Sequence, residues 1–131
     1  MTTHTWIEEA QRLVTTTETT SRGIWTLLAV AGQAAMNLAL ALPLTEAAGV
    51  TLLAMDIRQV QGEIEWIYPD LMTQRPPIAV GMVADHEQDA VKALITDLVA
   101  AATARGLQID PALSTALGLG PGHYLGRGST R

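Results

Sequence analysis

Apolar positions recur at helical spacing almost from the start of this chain. Trp6, Ile7, Ala10, Leu13 and Val14 fall on one face of a first helix. Thr5-Trp6-Ile7-Glu8 reads as a capping box, with the Thr5 hydroxyl accepting a free backbone N–H and Glu8 reaching back. A Thr-rich stretch, Thr15 to Ser21, follows. Branched Thr side chains lose rotamer freedom in a helix, so it predicts a break near Thr19 to Ser21, with Thr20 or Ser21 as the next cap. A competing signal runs through it. Ile7, Ala10, Val14, Thr17, Ser21, Ile24, Leu28, Ala31, Ala35, Leu38 and Leu42 keep a 3–4 alternation, as one helix over 5–42 would.

The second helix, about 22–42, carries no charge from Ile24 to Leu42. Its polar residues, Thr26, Gln33 and Asn37, share one narrow stripe. Ala31, Ala35 and Ala39 form a ridge where another backbone can approach closely. Pro43 ends the helix, because it lacks the N–H and clashes with the carbonyl four residues back. Thr45 is the expected N-cap of a third helix, about 45–68. So short a connection forces an antiparallel hairpin. Val50, Leu53, Ile57, Val60, Ile64, Ile67 and Leu71 form the apolar seam of the third helix, and Asp56, Arg58, Gln59, Gln61, Glu63 and Glu65 lie off it. Pro69 ends the regular helix, leaving Leu71 as a packing residue beyond.

Arg75-Pro76-Pro77 is a stiff connector into Ile78 to Val83, a run too short to separate strand from helical turn. No second strand is available to pair with it, so an irregular or helical conformation is expected. Asp85, with Gln88 as capping partner, opens a fourth helix whose apolar face is Val91, Leu94, Ile95, Leu98, Ala101 and Ala102. Arg105 suits its negative end, and Gly106 is the expected stop. Asp110-Pro111 opens a short last helix, and a Gly-rich tail starts at Gly118. The expectation is therefore all-α: a bundle of four main helices around an antiparallel hairpin, one domain over 1–117, and a flexible tail over 118–131.

Composition narrows this picture. Among 131 residues, 48% are hydrophobic and 16% charged, so the chain has ample material for one core. Phe is absent, and aliphatic side chains with Ala must fill that core. With no cysteine, disulfides, thiolate metal sites and a Cys nucleophile are excluded. Acidic residues near the N-terminus do not suit a secretory signal, and the expected location is cytoplasmic. A net charge of −5 with scattered bases argues against nucleic acid, whose affinity comes largely from phosphate contacts.

Candidate chemistry is sparse. Glu63, Glu65, Trp66, Tyr68 and Asp70 form an acidic and aromatic cluster that reads as a solvated rim, with the two aromatics closing the end of the core. His86, Glu87 and Asp89 read as acidic decoration of a helix start, with too few ligands for a metal. No phosphate loop or serine-hydrolase motif occurs, and no catalytic residue, metal or cofactor is assigned. The leading expectation is a non-catalytic interaction module that forms a homo-oligomer, most simply a dimer. Its expected interface is Leu28, Ala31, Ala35, Leu38, Ala39 and Leu42, because one small bundle struggles to cover a helix that is apolar nearly all round. The tail, with His123, Tyr124 and Arg127, is a second place for a protein partner. An alternative of another class is a small-molecule-binding protein or enzyme with an apolar pocket lined by Trp25, Gln33, Asn37 and Trp66. A further alternative is one membrane span over 24–42, which is long enough at roughly 28 Å but is Ala-rich and interrupted by two amides.

Overall fold

A computed structural model describes residues 5–109. The expected last helix, the domain boundary at 117 and the tail lie outside the described residues. Four α-helices pack into an all-α bundle: α1 (Thr5–Thr16), α2 (Ser21–Ala41), α3 (Leu44–Ile67) and α4 (Gln88–Ile109). Two short 3-10 turns, Pro69–Thr73 and Asp85–Glu87, flank an irregular strap between α3 and α4.

The Thr run does break the first long helix. Thr20 is the N-cap of α2, its hydroxyl accepting the Gly23 N–H at 3.0 Å. Gly23 admits no side chain, because a Cβ there would run into the Glu18 carbonyl oxygen. The chain therefore turns sharply on itself just before α2. Two residues, Leu42 and Pro43, separate α2 from α3 and fold them back antiparallel. Thr45 is not the N-cap of α3. The helix starts at Leu44 behind Pro43, whose φ of −60° is already helical and whose carbonyl accepts from Glu46 and Ala47.

α2 is the centre of the bundle. It packs extensively against both α3 and α4, while α1 lies mainly on α4. Thirteen of its 21 residues are buried, against five of 24 in α3. This placement accounts for the uncharged run, since a helix flanked on two sides has little face left for charge. α2 is also the one described helix long and apolar enough to cross a membrane, and 67% of its most apolar stretch is buried inside the bundle.

α4 returns antiparallel to α2. At its start the Gln88 amide donates to the Ala41 carbonyl at the end of α2, and near its end Arg105 reaches Thr17, just before α2. Gly106 does not stop this helix, which runs on to Ile109. The expected stop needs a left-handed glycine, and no described glycine has positive φ. The capping partner at the start is Glu87 rather than Gln88: Glu87 Oε1 accepts the Ala84 N–H at 2.9 Å. Glu87 is almost wholly buried there, so it is a structural cap and not surface decoration.

Candidate functional site

Residues 78–83 form neither strand nor helix. They follow an irregular path beside α2, with Val83 buried, Ile78 and Val80 packed on the core, and Met82 exposed. One polar side chain of α2 holds this strap. Asn37 Nδ2 donates to the carbonyls of Gly81 at 2.8 Å and Val80 at 3.4 Å, and Asn37 Oδ1 accepts from Gln33 Nε2 at 3.0 Å. The polar stripe read from the sequence is thus an anchor for a non-helical segment. Gly81 lies directly on the Trp6 indole, where a Cβ would come within 2.9 Å of the ring. At its other end the strap starts from the 3-10 turn whose Leu71 is buried.

A cleft remains between the strap, α2 and α3. Its volume is about 910 Å³, and it is open to solvent past Met36, Met55 and Met72. α2 contributes Trp25, Ala29, Gly32, Gln33 and Met36; α3 contributes Ala54, Met55, Arg58, Gln59, Gln61, Gly62 and Glu65. The third wall is formed by Met72, Gln74, Pro76, Ile78 and Val80. At the floor α2 and α3 come close together, since a Cβ on Gly32 would sit 3.3 Å from Ile57. Gly62 is the opposite case: a Cβ there meets nothing within 4 Å.

One end of the cleft is fixed by a polar relay. Trp25, only 4% exposed, donates its indole N–H to Glu65 Oε2 at 2.8 Å. Arg58 pairs with the same carboxylate at 3.3 Å. Glu65 is therefore not part of a solvated rim. It crosses from α3 to orient an aromatic on α2. Of the two expected aromatics, Tyr68 packs partly buried against the core, and Trp66 does not. Glu63 and Asp70 are exposed, and Trp66 is 87% exposed and closes no part of the core.

Gln61 is the other unexpected residue. The sequence places it off the apolar seam, yet it is 8% exposed. The buried face of α3 is wider than the seam, taking in Ala54, Ile57, Val60, Gln61 and Ile64. Gln61 lines the cleft, where its amide reaches solvent.

Of the four expected pocket residues, Trp25 and Gln33 line this cleft, Asn37 sits behind Gln33 and holds the strap, and Trp66 stands apart on the surface. The expected interface ridge is not available to a second copy. Leu28, Ala31 and Ala35 are fully buried, Leu38 is 1% and Ala39 9% exposed, and Leu42 is half-buried. The chain covers that ridge with its own helices. Exposed apolar side chains lie elsewhere: Leu44, Leu52, Met55 and Trp66 share an outer stripe of α3, and Met36 and Leu40 lie on α2. The spacing of that outer stripe was readable in the sequence. Nothing in the sequence marks Gln61, which looks like any solvated glutamine.

Among the described residues no three His, Asp or Glu side chains are grouped to hold a metal ion. No protein-family model, curated protein or solved structure matches this chain.

Proposed function

We propose that this chain is a non-catalytic binding module and that the methionine-lined cleft is its recognition site. The cleft itself carries this reading. Its volume of about 910 Å³ lies within the range of small-molecule sites, roughly 300–1,000 Å³, and its walls are mostly apolar with a few polar groups. Methionine adds adaptability, because its unbranched thioether repacks around differently shaped apolar bodies. Trp25 supplies a flat wall held in place by Glu65. No nucleophile and base, and no pair of carboxylates, meet in the cleft, so binding accounts for it without a reaction.

Gly62→Leu tests the site. Gly62 lines the cleft, and a Cβ there meets nothing within 4 Å. Replacing a helical glycine also favours folding, so the variant should be as stable as the parent or more so, by up to about 1 kcal/mol. Nile red should brighten with the parent protein and bind Gly62→Leu at least about fivefold more weakly. Equal binding to both proteins would remove the cleft from consideration.

A second reading, self-association into a dimer, is favoured by one specific observation: the outer stripe of α3. Leu44, Leu52, Met55 and Trp66 are 87%, 55%, 61% and 87% exposed. At steps of 8, 3 and 11 residues they fall on one side of the helix, here facing solvent. On this reading the contact between copies lies on α3 and leaves the Ala ridge of α2 inside each subunit.

A further inference from the structure

We propose that Met36, Met55 and Met72 form a reversible oxidation site, and that their conversion to methionine sulfoxide by a hydroperoxide lowers the affinity of the cleft for apolar ligands. The proposal rests on the cleft being a binding site and adds how that site is controlled.

The distribution of methionine carries it. Methionine ordinarily fills gaps in apolar cores. Here the buried apolar residues are Leu, Ile, Val, Ala and Trp, with no methionine among those described. Of the four methionines in the described residues, three line the cleft. Each of its walls supplies one: Met36 from α2, Met55 from α3 and Met72 from the 3-10 turn that follows α3. They are 43%, 61% and 68% exposed, so a small oxidant reaches all three without opening the fold. The fourth, Met82, is also exposed but is not part of the cleft lining. The chain has no cysteine, so no thiol of its own competes for the oxidant.

The chemistry is a two-electron oxygen transfer. The thioether sulfur attacks one oxygen of the peroxide; the S–O bond forms as the O–O bond breaks. The sulfur is oxidised and the peroxide reduced, its hydroxyl proton passing to the departing oxygen, which leaves as an alcohol or, from hydrogen peroxide, as water. The product is a polar side chain with a strong hydrogen-bond acceptor where an apolar one stood. An apolar ligand lying over that oxygen strips its water and returns no hydrogen bond, so binding weakens. One such group stands on each wall of the cleft. Because the core holds no described methionine, the same reaction leaves its packing intact and acts on binding alone. Thiol-dependent reductases, one for each sulfoxide epimer, return the thioether, which makes the site reversible.

The experiment compares Nile red binding to the full chain before and after hydrogen peroxide, with peptide mass spectrometry reporting which methionines carry oxygen. In the parent protein Met36, Met55 and Met72 should each take up one oxygen, and the dye should then bind at least about tenfold more weakly. The thermal unfolding midpoint should not move. Both methionine sulfoxide reductases, supplied with dithiothreitol, should restore binding. The triple variant Met36→Leu, Met55→Leu and Met72→Leu keeps apolar side chains of similar volume, so it should bind the dye and bind it equally well after peroxide. Met82→Leu should respond as the parent does. An oxidised parent that binds the dye as tightly as before overturns the proposal and leaves the cleft reading standing; that comparison needs no variant. A loss of binding that persists in the triple variant, or that comes with a lowered unfolding midpoint, overturns it as well. So does peroxide that oxidises Met82 and spares the other three. If Nile red does not bind the reduced parent, the cleft reading fails and this proposal with it.

Discussion

Asn37 shows how one polar side chain in an apolar helix sets the shape of everything beside it. Burying its amide is tolerable because every part of it is hydrogen-bonded: two strap carbonyls take the N–H groups, and Gln33 gives to the oxygen. Those bonds hold residues 78–83 in a path that is neither helix nor strand. Asn37→Leu should therefore lower stability by about 1–3 kcal/mol in denaturant unfolding, since it removes three bonds. Amide hydrogen exchange should speed up most between Ile78 and Val83, and less in α2 and α4. Gln33→Met should have a smaller effect, because Gln33 is exposed and only orients Asn37. Equal exchange in parent and Asn37→Leu would mean the strap is held by its apolar contacts alone. The sequence displayed Gln33 and Asn37 as intruders on one stripe. It could not display their partner, because backbone carbonyls carry no residue-type signature and this strap lies far along the chain.

At the scale of elements, Arg105 does more than suit the end of its own helix. Its guanidinium donates to the Thr17 carbonyl at 2.9 and 3.1 Å and to the Val14 carbonyl at 3.1 Å, as well as to Ala101 in α4. Val14 and Thr17 lie at the C-terminal end of α1, where carbonyls have no intrahelical partner. A cation from α4 therefore caps α1, a 12-residue helix otherwise attached by Trp6, Ile7 and Ala10. Arg105→Met keeps the apolar stem and removes the donors. It should lower stability by about 1.5–3 kcal/mol and speed up exchange at the end of α1. Arg105→Lys should recover only part of the loss, because an ammonium lacks the planar fork that reaches two carbonyls together. If unfolding of Arg105→Met matches the parent, α1 is held by its apolar face alone. The elements themselves were largely legible: Thr15 to Ser21 broke a helix, Pro43 ended one, and a two-residue link made a hairpin. These are local effects of rotamer entropy and ring geometry. What escaped was tertiary. Gly106 looked like a stop because Arg105 before it suited a helix end, whereas Arg105 serves another helix. Glu87 looked solvated, yet it is buried as the cap of the turn before α4.

For the whole molecule, the location of surplus apolar surface decides what is left for a partner. Read from the sequence, that surplus falls on α2, an uncharged helix for which a second copy is the expected cover. Within one chain α3 and α4 flank α2, and its Ala ridge is consumed by close packing. The surplus moves outward to α3, which buries few residues and carries its outer stripe into solvent. Along 24 residues, about 36 Å, that stripe is as long as the contact between two helices in many dimers. Trp66 alone offers on the order of 200 Å² toward the roughly 800 Å² per partner of a stable interface. Light scattering should therefore report a mass approaching twice the 13.9 kDa chain as concentration rises toward about 1 mM. The double variant Leu52→Glu with Trp66→Glu should remain monomeric, because it buries like charges opposite one another across a two-fold contact. Neither residue lines the cleft, so Nile red binding should be the same in the variant and the parent. Loss of dimer with retention of dye binding would separate the two faces of α3. A parent that stays monomeric throughout would make the outer stripe ordinary exposed apolar surface and leave the cleft as the one recognition site.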